Sequence, residues 1–196
     1  MTRSRFILVL AALLAAVAGA AVVLYVIPQG KGTPKPPPAL AALKLAENPA
    51  LVANVGFTDM GGRKYSLQTY RGRYVLLNLW ASWCAPCVKE LPQLANLQRA
   101  IPAAQFAVVT VDVERNADKV AGKFLIEHNA AELPAFADPG MKLMAATATY
   151  GLPTTLLIDP QGREVARATG PADWDKPEAV AYFEKLSKGK SNQSSP

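Results

Sequence analysis

Residues 74–87 read YVLLNLWASWCAPC, an apolar run that ends in two cysteines, Cys84 and Cys87. The chain has 196 residues and no other cysteine. A near-continuous apolar run of this length is typical of a buried central strand. From Pro86 to Ala100 the apolar residues recur at three- and four-residue spacing, and a proline is well tolerated in the first turn of a helix. The sequence therefore predicts a strand, then the cysteine pair, then a helix.

The cysteine pair is best explained by redox chemistry. A disulfide across two intervening residues closes a small ring and removes little chain entropy, so a purely structural bridge is the weaker interpretation. A structural zinc site needs about four Cys or His ligands, and the chain adds only His128 to its two cysteines. Because the positive end of a helix favours a thiolate, Cys84 is predicted to attack and Cys87 to resolve. No metal or bound cofactor is expected.

The first 27 residues predict the compartment. Residues 6–27 carry no charge and follow Arg3 and Arg5, so a helix of about 33 Å would span a hydrocarbon core of roughly 30 Å. The two arginines favour a cytoplasmic N-terminus. A cleaved signal peptide, with the small residues 18–20 as its processing site, is the alternative. Both interpretations export the rest of the chain.

Composition divides the remainder. Residues 28–44 are predicted to be a tether, because five prolines fall between positions 28 and 38 and such chain stays extended. Residues 45–187 have the length of one domain, and residues 188–196 are predicted to be a disordered tail. The chain has a net charge of +6, but its lysines and arginines are spread among acidic residues. A nucleic-acid partner is therefore not expected.

Within residues 45–187 the pattern alternates between strands and helices. Strands are predicted at 52–58, 64–67, 74–80, 106–112, 154–159 and 163–168, and helices at 86–100, 118–128, 142–150 and 176–187. Turn signals at 59–62 and 159–162 predict an antiparallel hairpin near each end of the domain. The expected fold class is α/β, a central mixed sheet flanked by helices with an N-terminal β-hairpin extension and, before it, the membrane anchor.

WCAPC at 83–87, placed between a strand and a helix and followed by GLPTT at 151–155 before another strand, resembles the thioredoxin superfamily in its membrane-anchored TlpA/ResA/CcmG branch. The likeness extends over about residues 50–187. The run GPADW at 170–174 looks most similar to TlpA. The resemblance implies a thioredoxin-like fold and a thiol-disulfide oxidoreductase that reduces protein disulfides.

The resemblance also implies roles for single residues. Pro153 matches the cis-proline that faces the cysteine pair, and Pro92 matches a structural proline that kinks the helix. The implied contacts to a substrate polypeptide are Trp83, Pro86, Leu152 and Pro153. Trp80 and Trp174 are expected in the core or at its rim.

Glu90 and Asn78 are the polar candidates near the pair. Glu90 falls one helical turn after Cys87 and resembles an acid that this branch places near its active site, where it would act catalytically by accepting a proton or by raising the thiol pKa electrostatically. A solvated surface glutamate is the alternative, and both interpretations stay open. Asn78 occupies a strand position where cytosolic thioredoxins carry a buried aspartate, and an amide cannot transfer a proton, so its role is structural.

The family implies a bacterial inner-membrane protein with a single span and a periplasmic catalytic domain. Its clients, meaning its substrate proteins, would carry metal- or haem-site cysteines, with cytochrome oxidase copper-site assembly ahead of cytochrome c maturation. A membrane protein of the DsbD or CcdA type would supply electrons. A Sco-like copper chaperone is one alternative, although Sco proteins pair CxxxC with a distant histidine. A DsbA-like oxidase is another, although no histidine lies between the two cysteines here.

Overall fold

The computed structural model describes residues 33–188, and the compact unit begins at Lys35. Its strands are β1 (Leu43–Leu51), β2 (Gly56–Asp59), β3 (Lys64–Ser66), β4 (Tyr74–Trp80), β5 (Phe106–Asp112), β6 (Ala135–Ala137), β7 (Thr154–Ile158) and β8 (Arg163–Thr169). Its helices are α1 (Ala85–Ala100), α2 (Ala117–Glu127), α3 (Lys142–Ala146) and α4 (Pro177–Lys188). The strands of this unit form one mixed sheet in the order β1-β8-β7-β4-β5-β6-β2-β3. The predicted α/β class, a central mixed sheet flanked by helices, is confirmed.

The centre of the sheet is the parallel pair β4 and β5. The two strands match residue for residue, from Tyr74 opposite Phe106 to Trp80 opposite Asp112. Both strands are almost entirely buried, which explains why their sequences are mostly apolar instead of alternating. Because parallel strands end at the same edge, the segment that leaves β4 and enters α1 lies beside the end of β5.

The sheet has a hydrophobic cluster on each face. Leu76 and Trp80 of β4 pack with the buried side of α1 and α4, whereas Val75, Leu77 and Leu79 pack in the second cluster. Alternate strand residues point to opposite faces. Asn78, which lies between Leu76 and Trp80 in this alternation, therefore shares the face that α1 covers.

The predicted hairpin near the end of the domain is confirmed as β7 and β8. Its turn is held by Asp159, whose Oδ1 accepts hydrogen bonds from the backbone N–H groups of Gln161 and Arg163, both at 2.9 Å. Gly162 has a φ of 79°. A left-handed backbone at this position favours glycine, which the turn signal in the sequence supplies.

The N-terminal boundary of the domain was predicted wrongly. Residues 28–44 were expected to be a tether, but Pro38–Leu40 form a 3₁₀ turn, and Leu40 and Leu43 are buried in the core. Strand β1 then pairs with β8 on either side of an irregularity between Leu45 and Ala50. The sequence concealed this strand because its middle reads Glu-Asn-Pro, which is unfavourable in a regular ladder.

Three smaller predictions also need correction. Strand β6 was missed because it has only three residues, although it joins β5 to the N-terminal hairpin. That hairpin is confirmed as β2 with β3, but β2 starts at Gly56 instead of residue 52. The helix predicted at 142–150 ends at Ala146.

The predicted membrane span, residues 6–27, lies outside the described residues, as do most of the predicted tail and residues 28–32 of the tether. Between residues 33 and 188 no helix is long and apolar enough to cross a bilayer.

Candidate redox site

Cys84 and Cys87 form a disulfide, with their Cα atoms 5.2 Å apart. Cys84 is the N-cap of α1, and its Sγ accepts the backbone N–H of Cys87 at 3.3 Å. The exposed fraction is 6% for Cys84 and 0% for Cys87. The predicted arrangement, with one cysteine at the helix N-terminus and the other shielded one turn inside, is the arrangement found. In the reduced form, the helix amides would stabilise a thiolate on Cys84.

The segment before β7 reaches this end of the sheet through its pairing with β4. The peptide bond between Leu152 and Pro153 is cis, as the resemblance implied. Pro153 is buried, and its carbonyl accepts the N–H of Gly170 at 2.9 Å. Thr154 Oγ1 donates to the carbonyl of Gly151 at 2.7 Å, which fixes the other side of the proline.

One side of the site is an apolar groove, here called the Met groove. It encloses about 300 Å³ and is lined by Trp83, Val113, Glu114, Arg115, Met141, Met144, Tyr150, Gly151 and Leu152. Trp83 is 72% exposed and Tyr150 93% exposed. Large apolar side chains that stay in water beside a reactive disulfide mark a surface that a partner can cover. The sequence predicted Trp83 and Leu152 here but missed the methionines.

A second cavity, here called the Glu90 cavity, is lined in part by α1. It measures about 500 Å³ and is lined by Ala39, Ala41, Ala42, Ala85, Pro86, Lys89, Glu90, Gln93, Pro171, Ala172 and Asp173. Pro86, a predicted substrate contact, is exposed at its mouth. The Glu90 cavity therefore includes the first turn of α1, whereas the Met groove includes Trp83, the residue before Cys84.

Glu90 is buried, at 1% exposure, so the interpretation of a solvated surface glutamate is wrong. Its Oε1 accepts a hydrogen bond from Asn78 Nδ2 at 2.7 Å, and its Oε2 accepts one from Trp174 Nε1 at 2.9 Å. The backbone of Ala172 also donates to the carboxylate. Burial raises the pKa of Glu90 to about 7, against the opposing effect of these donors. The carboxyl is thus poised to exchange a proton at neutral pH.

Asn78 is fully buried and holds this acid in place. Its Nδ2 donates to Glu90 and, at 2.9 Å, to Thr155 Oγ1 on the neighbouring strand β7. A structural role was predicted for Asn78 from the resemblance, but its contact with Glu90 was not. The alternation of side chains along β4 was the available signal, because it directs residue 78 toward α1.

A second buried acid, Asp112, was missed. Burial raises its pKa to about 7, while the backbone N–H of Glu114, donating at 3.0 Å, has the opposite effect. Glu114 in turn accepts hydrogen bonds at Oε2 from the N–H and hydroxyl of Ser82, two residues before Cys84. The signal was present, since Asp112 ends the strand parallel to β4 and such ends meet at one edge.

Pro92 and His128 make no side-chain hydrogen bond or ring contact with the cysteine pair in the part of the chain that the structure describes. Pro92 lies inside α1, as predicted. His128 follows α2, with its Nδ1 2.9 Å from the carbonyl of Phe124 and its ring stacked on the Phe124 ring. No group of three or more His, Cys, Asp or Glu side chains suited to a metal ion occurs within residues 33–188.

Comparison with known proteins agrees with this geometry. The model of the AhpC/TSA family matches residues 46–166. The thiol-disulfide oxidoreductase ResA of Bacillus anthracis is 29% identical over 133 residues, which are 68% of this chain and 75% of the relative. ResA of Bacillus subtilis (strain 168) is 32% identical over 117 residues, which are 60% of this chain and 64% of the relative.

Solved structures share the fold. A Chlorobium tepidum protein described as a thiol:disulfide interchange protein DsbE aligns with a TM-score of 0.60 at 27% identity, covering 70% of this chain and 98% of that one. The predicted branch is therefore confirmed, whereas a closer likeness to TlpA stays a prediction. The chain belongs to the AhpC/TSA family and is a thiol-disulfide oxidoreductase of the ResA/CcmG type with a thioredoxin-like fold.

Proposed function

We propose that this oxidoreductase works as a reductant of protein disulfides, tethered to the bacterial inner membrane by residues 6–27 with its catalytic domain in the periplasm. The observation that carries the proposal is the asymmetry of the cysteine pair. Cys84 caps α1 at the surface edge, whereas Cys87 is sealed in the core. A client disulfide would therefore react with Cys84, whereas Cys87 stays shielded until the second step.

The reaction balances within the pair and one client disulfide. The Cys84 thiolate attacks a client sulfur, so a mixed disulfide forms and one client thiolate leaves. The Cys87 thiolate then attacks Cys84 Sγ, which forms the internal disulfide and releases the second client thiolate. Two electrons move from the dithiol to the client, and the product is the oxidised form seen in the structure.

Glu90 would accept the proton that Cys87 must lose before the second attack. The two residues are one turn apart on the buried side of α1. A carboxyl with a pKa of about 7 matches a proton acceptor that works near neutral pH. Before it takes the proton, the negative charge of Glu90 would also raise the pKa of the Cys87 thiol.

The client would lie across the Met groove. Trp83, which precedes Cys84, and Leu152, which precedes the cis-proline Pro153, line the groove. Pro86, in the first turn of α1, and Pro153 are the other proposed client contacts. The lining is mainly apolar, so an extended client segment with apolar residues near its cysteines fits this surface best. Met141 and Met144 give the groove adaptable walls, which suits more than one client.

The direction of electron flow requires a donor. The bacterial periplasm is kept oxidising, so a reductant there needs electrons from across the membrane, and a protein of the DsbD or CcdA type would deliver them to Cys84. Clients with metal- or haem-site cysteines are proposed, first in copper-site assembly of cytochrome oxidase and second in cytochrome c maturation.

Replacing Cys87 tests this function. In Cys87→Ser the second attack is blocked, so the full-length protein should accumulate a mixed disulfide with its client, visible on non-reducing gels and lost on reduction. Cys84→Ser is the matched control and should trap nothing. The reduction potential, measured against glutathione buffers, should lie near the roughly −270 mV of thioredoxin. A value near the roughly −120 mV of DsbA would reverse the proposed direction.

A further inference from the structure

The segment between β8 and α4 closes over Glu90. Trp174, which is fully buried, donates from its indole Nε1 to Glu90 Oε2 at 2.9 Å. Its backbone N–H donates to Gln93 Oε1 at 3.2 Å. Trp174 is therefore fixed to α1 at two side chains three residues apart, and the indole packs against the Phe183 ring on its other side. The indole has little freedom to point its N–H elsewhere.

A second segment holds this one in place. The N–H of Asp173 donates to the carbonyl of Ala39 at 3.2 Å, and the N–H of Ala39 donates to Glu178 Oε1 at 2.9 Å. Leu40, next in the chain, is fully buried. These segments lie outside the family match at residues 46–166. These two contacts tie the segment that carries Trp174 to the N-terminal turn, and that turn to α4.

We propose that Trp174 is a positioning residue for disulfide exchange, whose indole N–H holds the carboxyl of Glu90 in one orientation beside Cys87. The inference rests on the proposed function, in which Glu90 takes the proton of Cys87. Oε1 accepts from Asn78 on the sheet and Oε2 from Trp174, and the backbone of Ala172 beside Trp174 also donates to the carboxylate. None of these donors is charged, so the acid keeps its capacity to bind a proton.

Few charged groups lie near Glu90 and its hydrogen-bond donors. The other ionisable groups that line the Glu90 cavity are Lys89 from α1 and Asp173 from the C-terminal segment. The sheet contributes the neutral side chains of Asn78 and Thr155, and the turn at residues 39–42 contributes alanines and the buried Leu40. Loss of the indole N–H should therefore act directly on the carboxyl. Since the hydrogen bond from Trp174 lowers the pKa of Glu90, its removal should move the titration to higher pH.

The experiment compares Trp174→Phe with Trp80→Phe in the full-length protein. Trp80 is a fair control because it is also buried and its Nε1 has no hydrogen-bond partner within the described part of the chain. The infrared C=O band of the protonated Glu90, assigned by its loss in Glu90→Gln, is titrated from about pH 5 to 9. Loss of one hydrogen bond to a charged acceptor should shift its midpoint upward by about one pH unit in Trp174→Phe. Trp80→Phe should leave it unchanged.

The pH profile of client reduction gives the functional readout. In Trp174→Phe the Glu90-dependent limb of the profile should follow the infrared midpoint, whereas Trp80→Phe should keep the wild-type limb. If Trp174→Phe folds poorly, benzothienylalanine in place of Trp174 keeps the ring size and removes only the N–H. An unshifted midpoint, or a shifted midpoint with an unchanged profile, overturns the inference. A wild-type protein that reduces no protein disulfide overturns the proposed function instead.

Discussion

Asn78 Nδ2 lies 2.7 Å from Glu90 Oε1, so an amide at the centre of the sheet is hydrogen-bonded to an acid on α1 inside the core. The resemblance predicted that no proton passes through residue 78. The buried acid of this site is Glu90, which lies on α1 one helical turn from Cys87. Because the carboxyl is buried among uncharged donors, its pKa rises to about 7.

Glu90→Gln is expected to flatten the pH dependence of stability. The pKa of Glu90 is about 7 in the folded protein, against an ordinary value of 4.5, so the folded state binds this proton more tightly. Its stabilising effect is full below about pH 4.5 and is lost as the pH rises to about 7, by an amount on the order of 3 kcal/mol. Urea unfolding of the oxidised protein between pH 4 and 8 measures the slope.

The slope, and not the absolute stability, is the informative quantity. Glutamine cannot accept from both Asn78 and Trp174, since one of its ends is a donor, and the variant should therefore be less stable at acid pH. Glu127→Gln, which changes an exposed acid beside Lys123, is the control and should keep the wild-type slope. If stability depends on pH as steeply in Glu90→Gln as in the wild type, the pH dependence comes from Asp112, the other acid whose pKa burial raises to about 7.

Trp83→Ala is expected to slow client reduction without a measurable loss of stability. The side chain is 72% exposed, so its removal should change the free energy of unfolding by less than about 0.5 kcal/mol. Loss of an aromatic contact at the Met groove should raise the KM for a protein disulfide roughly tenfold, with a smaller effect on glutathione disulfide. Steady-state kinetics with both substrates separate these effects.

Ile126→Ala supplies the matched control, because Ile126 is 66% exposed but lies outside the groove lining. It should behave like wild type with both substrates. A Trp83→Ala variant that reduces the two substrates at the wild-type rate would remove Trp83 from the client surface.

The central strands could be predicted because one local signal fixes them. The runs at β4 and β5 are buried on both faces, so their composition alone separates them from helices and loops, and both were predicted residue for residue. Strand β1 has no such signal. It lies at an edge, most of its side chains are exposed, and its pairing with β8 is set by residues about 120 positions away in sequence.

The site divides in the same way. Cys84, Cys87 and Pro153 follow from short motifs, and the structure places them at one end of β4 and β7. The burial of Glu90 does not follow from its neighbours in sequence, because the residue that closes over it, Trp174, is 84 positions away. Spacing along α1 placed Glu90 next to Cys87 but left its solvent exposure open.

Leu40→Ala tests the corrected N-terminal boundary. Leu40 is fully buried in the core although its sequence surroundings are those of a tether, so its truncation should destabilise the protein by roughly 2–5 kcal/mol. Leu51→Ala, at a site that is 67% exposed on the same N-terminal segment, should cost less than about 0.5 kcal/mol. Chemical denaturation of the oxidised proteins measures both. Equal stabilities for the two variants would mean that residues 38–44 are part of the tether and not of the folded domain.

Arg167→Lys tests whether β8 positions the loop that leads to the cis-proline. Arg167 Nη2 donates to the carbonyl of Thr147 at 2.7 Å while its Nε and Nη2 donate to Glu164. Lysine keeps the charge but has no planar fork to reach both partners. We expect a loss of about 1 kcal/mol in stability and a several-fold lower rate of client reduction, because the loop before Leu152 loses its anchor.

Arg163→Lys separates positioning from stability. Arg163 also makes two hydrogen bonds to one carboxylate, that of Asp159, but at the β7–β8 turn. It should therefore lose similar stability and keep the wild-type rate of client reduction. Urea unfolding and client kinetics on both variants give the answer. If the two arginine variants slow client reduction equally, the effect comes from general loosening of the sheet, and Arg167 has no special part in positioning the loop before Leu152.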